Sequence, residues 1–132
     1  MRYIKILCIL LLTFTATAGI LFEVPRLPIL NETIRVLYFH VPLWFTMIFL
    51  LLLSSVNAYR FISTKNIKYD LISYNYAHVG VYFGVLGILT GMVWANYTWG
   101  TFWTNDPKLN GSAIGLLIYF GYFILRNSIE DE

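Results

Sequence analysis

The sequence predicts an all-α, polytopic integral membrane protein, and three observations carry that prediction. The 132 residues are 58% hydrophobic and only 12% charged. Mean hydropathy is +0.67, outside the range of soluble domains. The apolar residues also fall into four runs, about 6–22, 41–58, 77–94 and 107–125, each near the ~17–20 residues a helix needs to cross a bilayer. Together they form one transmembrane domain over 1–132. A net charge of +2 with scattered basic residues gives no footprint for nucleic acid; membrane lipid is the expected surrounding. The single cysteine, Cys8, lies in the first run, so no internal disulfide forms, and no Cys-x-x-Cys-His motif is present for covalent haem attachment.

The first run is flanked by Arg2 and Lys5 and contains Ala16-Thr17-Ala18, similar to the small-residue cleavage site of a secretory signal. The run continues to Phe22, reaching spanning length, so a retained helix is expected. Whether or not residues 1–18 are removed, Gly19 emerges on the outer side. The second run opens just after His40 and has Pro42 as its second residue. The third carries Gly80, Gly84, Gly87 and Gly91. Those spacings put all four on one helix face, where a neighbouring backbone approaches closely; a smooth face leaving room for a ligand is the sharper reading. The fourth run spans a bilayer if it starts at Pro107, since 19 residues extend about 28 Å. Asp106 is a favoured N-cap and Pro107 a favoured first helical residue.

Basic residues orient the chain. With the N-terminus inside, Arg2, Lys5, Arg60, Lys65, Lys68 and Arg126 are cytoplasmic, against Arg26, Arg35 and Lys108 outside, a positive-inside bias. The outer face then carries both the Phe22–His40 segment and a tryptophan-rich loop. That loop gathers Trp94, Tyr97, Trp99, Phe102 and Trp103, with Asp106 directly after them. An interfacial aromatic belt explains Trp94 and Tyr97; it explains less well the residues that continue through the loop. An aromatic floor edged by one acid suits a flat, apolar, partly charged ligand, although Asp106 also serves simply as a cap.

Two histidines are present. His40 sits at the mouth of the second helix, two residues before Pro42. A histidine there acts either as an axial ligand to haem iron or as an interfacial group bonded to a headgroup or carbonyl, and the residue alone supports both. His78 lies 16 residues before Trp94, about 24 Å along the axis, so the pair cannot share one haem. A solvated histidine at the inner edge is expected there.

The loop resembles the tryptophan-rich "WWD" motif of the haem-handling membrane proteins of cytochrome c maturation, the CcmC/CcsA type. That motif reads approximately Trp-Gly-Thr-Trp-Trp-x-Trp-Asp-x-Arg-Leu. Trp99, Gly100, Thr101, Trp103, Asp106 and Leu109 match it; Phe102 and Asn105 replace tryptophans and Lys108 replaces the arginine. Arg35, Tyr38, His40, Val41 and Pro42 are similar to the family's Arg-Ile-x-Tyr-Ile-His-Val-Pro. The resemblance implies transient binding of haem b at the outer face of a bacterial inner membrane. Trp99, Gly100, Phe102, Trp103 and Asp106 would lie against the porphyrin, His40 would ligate iron, and Lys108 or Arg35 would pair with a propionate. It also implies delivery to c-type cytochromes, with a haem chaperone, other cytochrome c maturation membrane subunits and apocytochrome c as partners. The family's second histidine follows the loop on a later segment, and its members have about six spanning helices. Four helices and a histidine-free tail from Arg126 to Glu132 lead to the expectation of C-terminal truncation or of one half of a split protein.

Two rivals to haem handling remain at this stage. One is a structural or interaction subunit whose aromatics only anchor it. The other is a small transporter, which the lack of ionisable groups in the apolar cores disfavours. An enzyme is not expected, as no nucleophile–base pair or metal-ligand cluster stands out.

Overall fold

The computed structural model describes residues 2–130, and among them the chain is helical with no strand beyond one isolated bridge between Leu27 and Asn31. Helix α1 is Arg2–Leu21, α2 Leu37–Thr64, α3 Ile67–Trp99 and α4 Pro107–Glu130; a 3₁₀ turn, Glu32–Val36, leads into α2. All four helices are long and apolar enough to cross a membrane. The expected all-α, polytopic membrane fold is therefore present.

Every helix reaches past the apolar run that signalled it, and the local caps explain where each stops. Thr64 ends α2 because Lys65 takes a left-handed conformation (φ 55°) and donates its N–H to Phe61 O. One residue later Asn66 caps α3, its side chain accepting from Lys68 N at 3.0 Å. The apolar run of the third helix therefore gains a polar leader of about three turns. At the far end Gly100, at φ 75°, takes the left-handed terminus that a side chain would strain. Asp106 Oδ1 accepts from Lys108 N at 2.7 Å and Leu109 N at 3.2 Å, the N-cap that the Asp-Pro pair predicts. Pro42 lies inside α2, not at its mouth. As the sixth residue of α2 it lies beyond the first turn, whose N–H groups are unpaired in any helix, and so removes one intrahelical hydrogen bond.

The bundle is organised around α2 and α3, which run antiparallel. A methyl placed on Gly80 would stand 2.9 Å from Leu51, on Gly84 2.8 Å from Met47, on Gly87 3.3 Å from Trp44, and on Gly91 3.0 Å from His40. The glycines advance along α3 by four, three and four residues, and their partners descend α2 by the same steps. Each glycine is a socket for a large side chain from α2, and Gly84 also receives Leu116 of α4 at 2.7 Å. Below the sockets Ser54 Oγ donates to Ser73 O and Ser73 Oγ to Ser54 O, both at 2.9 Å. The buried apolar set is correspondingly small-sided: Ala18, Ala77, Val81, Ala95 and Leu116. Close backbone packing and interhelical hydrogen bonds take the place of a large apolar core, as expected in lipid.

Helix α4 lies against α3 and α1 meets α2 only near its own end. Arg126 binds Asp70 bidentately, at 2.9 and 2.6 Å, and also reaches Tyr122 OH at 3.2 Å. Its guanidinium stands 4.7 Å over the Tyr74 ring. Both partners of this ion pair are under one-fifth exposed. His78 departs from expectation. It stacks on Tyr74 and meets Tyr82 and Phe123 edge-on, with centroids 5.1–5.5 Å away, so it sits half-buried in an aromatic cluster. The reason is the polar leader of α3, which carries the helix start well below His78, together with Phe123 from α4.

Breaking a shielded ion pair leaves a charge without its partner. Asp70→Asn is expected to destabilise the fold by about 3 kcal/mol, measured by denaturant titration in detergent micelles. The double change Asp70→Leu, Arg126→Met should recover most of that loss, because it strands no charge.

Candidate functional site

Between the upper halves of α2, α3 and α4, beneath the α3–α4 loop, lies a cavity of about 640 Å³. That volume is in the range of small-molecule and cofactor sites. It exists because α4 packs on α3 while its backbone stays apart from α2. Helix α2 contributes His40, Trp44 and Ile48; α3 contributes the face from Gly87 to Trp99; the loop and α4 add Thr104, Asp106, Lys108, Leu109 and Ser112.

His40 is the uppermost of the four large residues seated on glycines, and its ring is held on three sides. The sockets put Gly91 beneath it. Trp44 and Trp94 each meet it edge-on, with centroids 6.0 Å away. Its Nδ1 stands 3.0 Å from Thr90 Oγ1. The Thr90 hydroxyl has one proton and two backbone carbonyls within reach, Leu86 O at 2.9 Å and Gly87 O at 3.0 Å. With that proton on one of the carbonyls, the oxygen is placed to accept from Nδ1–H, the tautomer in which Nε2 is unprotonated and able to ligate.

Two polar atoms of the lining are buried without a hydrogen-bond partner: Trp94 Nε1 and Thr104 Oγ1. An unpaired buried donor costs about 1–3 kcal/mol, and such groups are rare in folded proteins. Among the described residues no group of three metal-ligating His, Cys, Asp or Glu side chains occurs. The His40 imidazole and the Asp106 carboxylate, at the rim, are the metal-binding side chains of the lining.

The residues singled out from the sequence separate into two groups. His40, Trp99, Asp106 and Lys108 line the cavity together. Gly100 terminates α3 and lies outside the lining, as do Phe102 and Trp103, about half exposed on the loop. Trp103 Nε1 donates instead to Asn110 Oδ1 at 3.1 Å. Arg35 is engaged elsewhere: it donates to Gly19 O at 3.4 Å, Ile20 O at 2.9 Å and Phe22 O, closing the C-terminal end of α1. Trp44, Thr90 and Thr104 were not foreseen. Trp44 is one turn from His40, and Thr90 precedes the socket of His40 by one residue; the glycine face was the signal for both.

The fold and the cavity define an all-α integral membrane protein with a histidine-bearing, tryptophan-walled site between its helices. The chain belongs to the CcmC family, described as heme exporter protein C, whose model matches residues 1–132. It is 28% identical over 101 residues to heme exporter protein C of Paracoccus denitrificans, covering 76% of this chain and 42% of that protein. It is 31% identical over 91 residues to a putative cytochrome c biosynthesis ccmC-like mitochondrial protein of Marchantia polymorpha, covering 69% and 40%. With cytochrome c biogenesis protein CcsA of Gossypium barbadense it shares 39% over 80 residues, covering 61% and 24%. The chain thus spans less than half the length of these relatives. No solved structure matches it.

The Thr90 contact makes a prediction that needs no ligand. Nitrogen NMR of histidine-labelled protein should show His40 as the Nδ1–H tautomer, and Thr90→Val should shift the population toward Nε2–H. An unchanged tautomer ratio would count against the Thr90 assignment.

Proposed function

We propose that the chain binds haem in this cavity and hands it on during maturation of c-type cytochromes. The observation that carries the reading is the His40 environment: an imidazole with Nδ1 engaged by Thr90, set between Trp44 and Trp94 in a cavity of about 640 Å³. Membership of the CcmC family and the printed names of the relatives, heme exporter and cytochrome c biogenesis proteins, support the same reading.

Haem fits the residues present. His40 Nε2 would ligate its iron, and Trp44, Trp94 and Trp99 would cover the macrocycle, where apolar burial contributes about 25 cal/mol per Å². Haem b is the cargo, held transiently, and its iron supplies the coordination bond that His40 completes. Asp106 would fix the start of α4 at the rim and Lys108 would pair with a propionate. The loop between Gly100 and Asp106, with Phe102 and Trp103 exposed on it, is where a haem chaperone or apocytochrome c would meet the ligand. Arg35 contributes by fixing the turn that leads into the His40 helix. A second axial ligand would come from outside the described residues, supplied by another maturation subunit or by further chain. Binding and transfer require no bond-making catalyst, so the reading is that of a haem carrier and not an enzyme. The working orientation has the cavity at the outer face of a bacterial inner membrane and the N-terminus inside, following the basic residues.

Purified protein should take up haem with an absorbance signature of histidine ligation, and His40→Ala should abolish that signature. A wild-type protein that takes up no haem would falsify the reading in favour of an aromatic anchor with no ligand. Gly91→Ala tests the socket: a methyl there stands 3.0 Å from His40 Cε1, so the ring must move. Haem affinity is expected to fall by roughly tenfold, within the 1–3 kcal/mol of ordinary overpacking, while helix content in circular dichroism stays unchanged.

A further inference from the structure

We infer that Trp94 Nε1 and Thr104 Oγ1 form a subsite within the cavity that receives a carboxylate of the bound porphyrin, a reading that rests on the haem proposal above. Several other polar side chains of the lining are already engaged. His40 Nδ1 meets Thr90, Thr98 Oγ1 donates to Trp94 O at 2.9 Å, and Ser112 Oγ donates to Lys108 O at 2.7 Å. Asp106 Oδ1 accepts from Lys108 N and Leu109 N. Trp94 Nε1 and Thr104 Oγ1 alone are both buried and unpaired.

The chemistry of the two atoms selects their partner. An indole N–H only donates, so the group it meets must accept. A threonine hydroxyl with no acceptor of its own is likewise free to donate. Lys108 lines the same cavity and adds positive charge, offsetting the Asp106 carboxylate that caps α4. Two neutral donors and an ammonium suit a group with several lone pairs and negative charge, which is a carboxylate. A porphyrin that offers its iron to His40 also carries carboxylates on one edge of an apolar disc. The remaining walls match that disc: Trp44, Ile48, Gly87, Trp99 and Leu109. Trp94 lies one helical turn beyond Gly91, the socket of His40, and Thr104 lies in the loop beyond that. The donors therefore stand on the loop side of the imidazole.

The test uses iron-free protoporphyrin IX, so that His40 ligation plays no part, and its dimethyl ester, which keeps the disc and loses the charge. Binding to the full chain in lipid nanodiscs is followed by porphyrin fluorescence. The diacid is expected to bind at least roughly tenfold more tightly than the diester, the scale of a charge-assisted hydrogen bond. Thr104→Val should weaken the diacid by about that factor and leave the diester unchanged, and Trp94→Phe, which also alters the wall against the disc, should weaken the diacid more than the diester. Thr104→Ser, which retains the hydroxyl, should keep the preference. Equal losses for both porphyrins, or a preference untouched by either variant, would overturn the subsite while leaving porphyrin binding intact. That is also the outcome if a trapped water satisfies the two atoms. Failure of both porphyrins to bind the wild-type chain would overturn the subsite, and the haem reading falls with it only if haem itself also gives no histidine-ligated absorbance.

Discussion

The close approach of α2 to α3 is the constraint on which the rest of the structure depends. Leu51, Met47, Trp44 and His40 each need a place where the facing helix has no side chain, and Gly80, Gly84, Gly87 and Gly91 supply four such places in matching order. Lipid offers these helices no hydrophobic reward for associating. What joins them is van der Waals contact at short range, and that contact is lost if the register slips by even one residue. The reciprocal Ser54–Ser73 bonds add a polar lock, since a slipped pairing would leave hydroxyls and carbonyls unmatched. One pattern of small residues thus sets the height of one helix against the other.

The position of His40 follows from that register and owes little to the loop above it. The same alignment that seats Met47 and Leu51 brings His40 over Gly91 and within reach of Thr90. The cavity arises from an asymmetry in the bundle: α3 has close neighbours on two sides, whereas the α2 and α4 backbones make no close approach to each other. Their side chains meet across α3 instead, Met47 and Leu116 both resting on Gly84. The Asp70–Arg126 pair ties α4 to α3 near its C-terminus, and the Asp106 cap fixes where α4 begins.

Much of this was legible in the sequence. Four apolar runs gave four helices in order, the glycine spacing gave the packing face of α3, and Asp106-Pro107 gave the start of α4. His40 stood out because an imidazole beside a proline at a helix mouth is unusual. The helix ends were less legible. Lys68 and Asp70 lower the hydropathy of a segment that an Asn66 cap and the α2 hairpin keep helical. The loop misleads in another way. Counting aromatics draws attention to Phe102 and Trp103, but the left-handed turn at Gly100 directs the chain so that Trp103 bonds Asn110 outside the lining. Trp44, which does line the cavity, is hidden in a run of apolar residues. Its partner Gly87 was visible; that the two would meet depends on a register no single-helix pattern encodes. His78 was misread for the same reason, because Phe123, the ring that covers it, comes from another helix.

Arg35 has a mechanical role. Its guanidinium grips the three carbonyls at the end of α1, where Ala18 and Gly19 are buried and Gly19 lies against Tyr38 and Phe39. The first three turns of α1 are exposed along their length. Within this chain the helix is therefore seated by its last turn alone. The seat is shared: the turn that Arg35 ties to the end of α1 is the turn that opens α2, and His40 stands five residues on along the same stretch. The end of the first helix and the start of the histidine-bearing one are thus a single joint, and a change at Gly19 or Arg35 reaches the imidazole through less than two turns of helix.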